Sequence, residues 1–433
     1  MKNFFILPFL NLFSEKNLSL DVIFFSILVI LLPFALLTGP ALPDIFISLV
    51  AIYFLIKSLI YKKLHYYKNP IFIGFLFFSI YGIFRSLFYE SAWLSLSNEG
   101  SLFYFRYIFF ALGVWYLLDC NKYLVKCLFI VSLICFLIIC LDGITQHFSD
   151  ITYYKKNKFE SRLTILFWNE PILGRYISYM SIFVFFLIYE NFQKTKITII
   201  LSIVLLVIAE ITIFLSGERA PFFNIILFNI LCLIFIPNYK IYRFFGIFLS
   251  AIIIFSILNI STGTKNRMID QTIDQVSQNK LPYMPYSPHH EAHYISSIKM
   301  FLDNPFFGIG TNTFRFECKK IRYQYEKQSC SSHPHNYYIQ ILAEMGIFGF
   351  LAIVAFFFYL SYFLLRQFFF LINNTNQKNI PFNIILSHIV LFVYWWPLIP
   401  HMSFYNNWNN VFMMLPLGFL MKYLYGNKAN KTN

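Results

Sequence analysis

The sequence predicts an all-α polytopic membrane protein with one large, partly helical loop outside the membrane. Of its 433 residues, 58% are hydrophobic and 12% are charged, whereas a soluble domain carries about 25% charged residues. Apolar runs of about 20 residues, long enough to cross a bilayer as a helix, recur along the chain. Polar side chains are concentrated in residues 331–349, against apolar surroundings.

The apolar runs predict about twelve spanning helices. They cover residues 20–37, 42–60, 70–88, 102–118, 123–141, 171–190, 196–215, 220–236, 242–259, 337–364, 382–399 and 408–425. Short loops after even-numbered spans carry basic residues such as Lys62, Lys122 and Lys240, whereas residues 38–41 and 400–407 carry none. Because cytoplasmic loops are enriched in Lys and Arg, we expect both termini in the cytoplasm.

Two longer segments, 142–170 and 260–336, then fall on the far side of the membrane. We therefore expect a membrane domain of nine helices at 1–259, a loop domain at 260–336, and a membrane domain of three helices with a cytoplasmic tail at 337–433. Both long segments are basic, which favours an anionic partner such as phosphate, pyrophosphate or a lipid headgroup. The alternative is a solvated face with no partner. No nucleic-acid module is recognisable, so nucleic acid is not expected.

The loop domain carries its own structural signals. Cys318 and Cys330 lie twelve residues apart, and in an oxidising compartment we expect them to form a disulfide. A zinc site is less favoured, because the spacing of two to four residues between Cys ligands is missing. The apolar pattern of His290–Leu302 predicts a helix, which Asn304-Pro305 would end.

The polar stretch places an imidazole at a helix entrance. Pro334 biases His333 towards an extended conformation, and His335 precedes the tenth span. Such a histidine is suited to act as a general base; the alternative is that it caps the helix. Asn336, Gln340 and Glu344 follow at intervals of four and form one polar stripe. Gly346 and Gly349 would let a neighbouring helix approach closely.

A second constellation, Ser216-Gly217-Glu218-Arg219-Ala220-Pro221, separates two apolar spans by a tight turn. Arg219 would lie at the membrane boundary on the same side as His335, where a guanidinium suits phosphate oxygens. The alternative is an interfacial arginine that pairs with Glu218 or reaches the headgroups. Arg175 and Arg106 are further external candidates.

These residues carry a family resemblance. His335-Asn336, nine residues and Gly346-Ile-Phe-Gly349 resemble the His-Asn-x9-Gly-x-x-Gly pattern of the O-antigen ligase and polymerase superfamily. Asn304-Pro-Phe-Phe-Gly-Ile-Gly310 with Phe314 is similar to that family's Asn-Pro loop, and Ser216–Ala220 to its Ser-Gly-x-Arg element. Glu160-Ser-Arg162 with Asn169-Glu-Pro171 resembles a weaker block. The resemblance covers roughly residues 100–425.

The resemblance implies a GT-C-like, metal-independent, inverting glycosyltransferase that needs no cofactor. The donor would be a glycan on undecaprenyl pyrophosphate, at the periplasmic face of the bacterial inner membrane, and the acceptor the lipid A core. The catalytic residues would be His335 and Arg219. Many relatives carry an arginine where this chain has His290, so Arg267, Arg175 and Arg162 are candidates for the second cation. We also expect His290, Asn336, Gln340 and Glu344 to contribute to substrate binding.

Two alternatives remain open at this stage. A polymerase would use the same donor with a lipid-linked glycan as acceptor, and no residue separates it from a ligase. A polysaccharide flippase or transporter would also suit about twelve spans. However, the chain shows no internal repeat, and a folded loop of about 75 residues favours an enzyme.

Overall fold

The computed structural model describes residues 6–14, 18–97, 100–149, 162–164, 170–192, 195–236, 239–277, 286–325, 329–373 and 380–426. These residues form helices and connecting segments, with no strand among them. The helices of the first half are α1 Leu7–Ser14, α2 Leu20–Ile30, α3 Leu32–Thr38, α4 Ala41–Ile60, α5 Pro70–Leu87, α6 Ala92–Ser97, α7 Arg106–Cys120, α8 Leu124–Ser149 and α9 Leu173–Phe192. The second half has α10 Lys196–Leu215, α11 Arg219–Phe235, α12 Lys240–Ile260, α13 Thr262–Lys265, α14 Gln271–Ser277, α15 Pro288–Asp303, α16 Phe314–Glu317, α17 Tyr337–Asn373, α18 Phe382–Tyr394 and α19 Asn407–Met421. The end of the predicted cytoplasmic tail lies outside these residues.

Seven of these helices are long and apolar enough to cross a membrane, namely α4, α5, α8, α9, α10, α12 and α17. An eighth span results if α2 and α3, which meet at a bend of 50°, are taken together. Helices α11 and α18 are apolar but shorter. Each of the twelve predicted segments contains a helix, but α7 and α19 have only 15 residues each. The chain is therefore an all-helical, multi-pass membrane protein, and the number twelve stays a prediction.

The inner helices of the bundle are packed by protein. In α9, 89% of the apolar 18-residue stretch is buried inside the protein. Helices α7 and α19 pack against each other, and Gly418 permits the contact, because an added Cβ would lie 2.7 Å from the Ala111 carbonyl oxygen. Arg106 donates to Asp44 at 2.5 Å and to Asn407 at 3.0 Å. This third candidate cation thus links α7 to α4 and α19.

Helix α17 is broken at Gly346, which has φ 65° and ψ −164°. The break frees backbone groups, and the loop before it pairs with them: the Ile309 and Gly310 amides donate to the Ala343 and Glu344 carbonyls, each at 2.9 Å. A Cβ on Gly346 would lie 2.3 Å from the Phe306 carbonyl oxygen. The prediction that this glycine admits a neighbouring helix is therefore wrong, because the close partner is the Asn-Pro loop.

Residues 260–336 contain several short helices in addition to α15. The helix predicted over 290–302 is observed as α15, and it packs on α17. Cys318 and Cys330 form a disulfide with a Cα–Cα distance of 5.0 Å. A small hydrophobic core joins this region to α17; its members are Met300, Ile309, Phe314, Cys318, Tyr323 and Ala343. The loop is therefore folded onto the helix that follows it.

Candidate functional site

His335 lies directly before α17 in a left-handed backbone conformation, with φ 60°. The next residue caps the helix: Asn336 Oδ1 accepts hydrogen bonds from the amides of Tyr338 at 3.0 Å and Ile339 at 3.2 Å. The His401 amide donates to the His335 carbonyl at 2.7 Å. The helix cap is therefore Asn336, and the imidazole of His335 is not used for it.

Three further histidines surround the His335 ring. The ring centroid of His333 lies 4.2 Å away, and those of His290 and His293 each lie 5.4 Å away. His290 and His293 are three residues apart on α15 and therefore share one helix face. Sequence reasoning missed His293, although its spacing from His290 was a usable signal.

The His335 imidazole is held in its neutral form. Burial, reinforced by His293 and the positive charge of Arg175, lowers its pKa to about 4. Burial also lowers the pKa of His290 to about 3, with smaller contributions from neighbours including His335 and Arg162. A neutral imidazole has a lone pair on one ring nitrogen and can accept a proton. The His335 imidazole can therefore accept a proton without losing one first.

The turn between α10 and α11 gathers arginines. Gly217 has φ 73°, a conformation that glycine adopts without strain. Arg219 donates to the Gln275 side chain at 2.6 Å and to the Arg267 carbonyl at 2.9 Å, while Arg267 Nε lies 3.4 Å from the Gly217 carbonyl oxygen. Two of the predicted cations thus lie side by side.

Residues 162–164 run past the same turn. The Leu163 amide donates to the Ser216 carbonyl at 3.4 Å. Burial, with added repulsion from Arg162 and Arg219, lowers the pKa of Arg267 to about 10. Arg162 therefore belongs to the same cluster. Glu160 and Asn169 of the weaker sequence block lie outside the described residues.

Arg175 connects the arginines to the histidines. It lies in the first turn of α9 and donates to the Pro400 carbonyl at 3.0 Å, next to the residue whose amide binds the His335 carbonyl. The neighbouring Gly174 amide donates to Glu218 Oε1 at 2.6 Å. The alternative in which Arg219 pairs with Glu218 is not observed, because that carboxyl binds the start of α9.

The combined site carries more positive than negative groups. Within the described part of the chain, Arg162, Arg175 and Arg267 interact electrostatically with the Glu218 carboxyl, and Arg219 lies beside Arg267. Burial raises the pKa of Glu218 to about 7, although Arg175 and Arg162 oppose the rise. Arg219 Nε is buried and donates to none of the described residues. A buried guanidinium nitrogen without a hydrogen-bond partner is costly, so an anion that accepts from it would be favourable.

Gln340 and Glu344 lie behind the site. Glu344 is buried, and its carboxylate accepts the amides of Asn312 at 2.9 Å and Phe314 at 3.0 Å. Gln340 accepts the Phe404 amide at 2.9 Å. Both side chains thus accept backbone amides from neighbouring segments, and their contribution to substrate binding stays a prediction.

Within the described ranges, no group of three or more His, Cys, Asp or Glu side chains is arranged to hold a metal ion.

Comparison with known families places this site in context. Residues 201–354 match the family model described as O-antigen ligase. The match includes the Ser216–Arg219 turn, α15, the Asn-Pro loop and His335, and it confirms the resemblance noted in the sequence. It supports a function of the O-antigen ligase or polymerase type and a glycosyltransferase-like enzyme. No curated protein matches the chain.

Proposed function

We propose that the protein transfers a glycan from undecaprenyl pyrophosphate to the lipid A core of lipopolysaccharide; the match of residues 201–354 to the O-antigen ligase family model supports the proposal. The observation that carries the proposal is the position of a neutral histidine near a half-buried arginine cluster. The histidine can take a proton, and the arginines can bind the pyrophosphate. Both requirements of a glycosyl transfer from a pyrophosphate donor are thus present.

In the proposed reaction, the acceptor hydroxyl gives its proton to His335. Its oxygen forms a bond to the anomeric carbon while the bond from that carbon to the phosphate oxygen breaks. The leaving pyrophosphate takes the bonding electron pair, and its growing negative charge is stabilised by Arg219 and by a second cation among Arg162, Arg175 and Arg267. Attack from the opposite face inverts the anomeric configuration. No metal or other cofactor takes part.

The assignment of the second cation follows from position. Arg175 contacts the segment that binds the His335 backbone, through Pro400. Arg162 and Arg267 lie on the Arg219 side. We propose that Arg175 binds the phosphate nearer the anomeric carbon and that the other arginines bind the rest of the pyrophosphate. His290 then acts as a neutral neighbour of the base and not as a replacement for the missing arginine.

The proposal includes a location. The protein would lie in the bacterial inner membrane with both termini in the cytoplasm and about twelve spans. Residues 260–336 would form a periplasmic loop domain between membrane domains at 1–259 and 337–433. The periplasm is oxidising, which suits the Cys318–Cys330 disulfide.

The second candidate function is a polymerase that uses the same donor and a lipid-linked glycan as acceptor. The domain match includes this reaction type, and the same histidine and arginines would serve it. A flippase or transporter is less favoured, because transport alone does not require a histidine base beside the anion site.

The test is transfer in vitro from a defined polyprenyl-pyrophosphate glycan, with purified protein in detergent and either lipid A core or a second lipid-linked glycan as acceptor. Product on lipid A core supports the ligase, and lengthened glycan on the lipid carrier supports the polymerase. His335→Ala should lower the rate by about 100- to 10,000-fold. His289→Ala, at an exposed neighbouring position, is the control. Full transfer by the folded His335→Ala variant would exclude the base.

A further inference from the structure

A segment outside the matched domain, residues 395–404, supplies backbone groups to the site. It connects α18 to α19. Its Pro400 carbonyl accepts from Arg175, and its His401 amide donates to the His335 carbonyl. One short segment therefore contacts both the proposed base and a proposed phosphate-binding cation. We refer to residues 395–404 as the bridging segment.

Asn336 fastens this segment to the start of α17. Its Nδ2 donates to the carbonyls of Pro397 at 2.7 Å and Ile399 at 3.3 Å, while its Oδ1 accepts the first amides of the helix. Asn336 is 3% exposed. The side chain thus uses both ends of its amide on backbone groups and has no part left for substrate.

We infer that Asn336 is a positioning residue that fixes the distance between His335 and Arg175 through the bridging segment. This inference rests on the proposed function. It gives Asn336 a role different from the substrate contact expected from the sequence. It also makes the bridging segment, which lies between α18 and α19, part of the site.

The backbone of His335 explains why positioning is needed. A left-handed conformation is unfavourable for a residue with a Cβ and persists only when its surroundings hold it. Here the His401 amide holds the carbonyl on one side and the Asn336 cap holds the helix on the other. Releasing the bridging segment would let His335 relax and move its ring away from the arginines.

The chemistry requires an amide. An aspartate at position 336 would keep the cap acceptor but would set a carboxylate oxygen against the Pro397 and Ile399 carbonyl oxygens. A serine would keep one acceptor and lose both donors to the segment. Both substitutions should release the bridging segment while they leave the start of α17 capped.

Asn69 provides a matched control. It caps α5 in the same manner: its Oδ1 accepts the Phe72 amide and its Nδ2 donates to the Tyr66 carbonyl, each at 2.7 Å. It is 1% exposed, and its hydrogen bonds involve no residue of the site. Asn69→Asp therefore reports what the same exchange costs a buried cap elsewhere in the bundle.

The experiment measures kcat, KM for the donor and thermal unfolding for the wild type, Asn336→Asp, Asn336→Ser and Asn69→Asp. We expect both Asn336 variants to lose about 100-fold in kcat, the scale of a misplacement of about 1 Å, with KM changed less than about threefold. Asn69→Asp should keep the wild-type kcat. The new carboxylate beside His335 should also raise the pH at which kcat/KM begins to fall in Asn336→Asp.

Equal kcat in Asn336→Ser, Asn69→Asp and the wild type would overturn the inference, and so would an effect confined to KM. If Asn336→Asp does not fold, the kcat of Asn336→Ser compared with the wild type is the test of the inference. The His335→Ala variant distinguishes failure of this inference from failure of the proposed function. If kcat falls in His335→Ala but not in Asn336→Ser, the positioning role of Asn336 is refuted and the proposed function stands. Unchanged transfer in His335→Ala refutes the proposed function itself.

Discussion

Two arginine sites in this protein, one fully buried and one half-buried, differ in how their charge is balanced. Arg243 on α12 is fully buried; it donates to Glu210 and, at 2.9 Å, to the Asn229 side chain. Asn229 in turn donates to Glu210 at 2.6 Å. These three residues, from helices α10, α11 and α12, form what we call the closed triad. It has one carboxylate for one guanidinium.

Among the residues that the structure describes, the arginine cluster has no such one-to-one balance of charge. Arg162, Arg175 and Arg267 interact electrostatically with Glu218, whose pKa of about 7 leaves it partly neutral, and Arg219 lies beside Arg267. Several of their contacts are backbone carbonyls. The difference teaches that burial of an arginine does not by itself indicate function: the fully buried Arg243 has a partner within the fold, whereas the half-buried cluster is the one for which we propose an anion.

The largest effect is expected from a substitution that breaks the closed triad. Arg243→Ala leaves Glu210 buried without its cation, and removing one partner of a buried ion pair costs about 3–5 kcal/mol of stability. The measurement is equilibrium unfolding in mixed micelles. The double variant Glu210→Leu/Arg243→Met should recover most of the loss, because it removes both charges. Normal stability of Arg243→Ala would contradict the structural role of the triad.

The next largest effect is expected from a substitution within the arginine cluster. Arg219→Ala should lower the transfer rate by about 100- to 1,000-fold through lost stabilisation of the leaving pyrophosphate, with little change in unfolding. Arg219→Lys keeps the positive charge but loses the bidentate hydrogen bonding to phosphate, so it should recover part of the rate. Arg366→Ala, at an exposed position on α17, is the control. Unreduced transfer by folded Arg219→Ala would remove Arg219 from the mechanism.

A smaller effect tests the shared carboxyl. Because the pKa of Glu218 is about 7, it is mostly neutral at pH 6 and mostly ionised at pH 8. The ionised carboxylate repels an anionic donor, so KM for the donor should rise about threefold to tenfold over this range. In Glu218→Gln the rise should be absent.

Glu317→Gln is the matched control for this measurement, since Glu317 is also buried but accepts from Tyr89 at 2.9 Å and pairs with Lys320. It should keep the wild-type pH dependence. A rise in KM that persists in Glu218→Gln would assign the titration to another group.

The smallest expected effect concerns the base. The lowered pKa of His335, about 4, keeps it neutral well below the ordinary histidine value of about 6.5. In the Glu218→Gln background, kcat/KM should therefore change little from pH 7 to about 5 and fall only as the pH approaches 4. A fall centred near pH 6.5 would show that His335 titrates as a solvent-exposed histidine.

The sequence alone determined the local features of this protein. Apolar runs located a helix in each predicted segment, because helix formation and membrane burial depend on composition over one short stretch. Asn304-Pro305 ended α15 for the same local reason. The His-Asn and Ser-Gly-x-Arg motifs located the principal candidates, His335 and Arg219. Their spacing could not show which other charges lie beside them.

Only the tertiary structure decided how these pieces combine. It set the Asn-Pro loop into the break at Gly346, joined Arg175 to His335 through the bridging segment, and turned Glu218 away from Arg219 towards α9. Such contacts join residues far apart in the chain, and burial and Coulomb energy depend on distance in space and not on separation in sequence. The balance of charge that distinguishes the closed triad from the arginine cluster therefore exists only once the helices have packed.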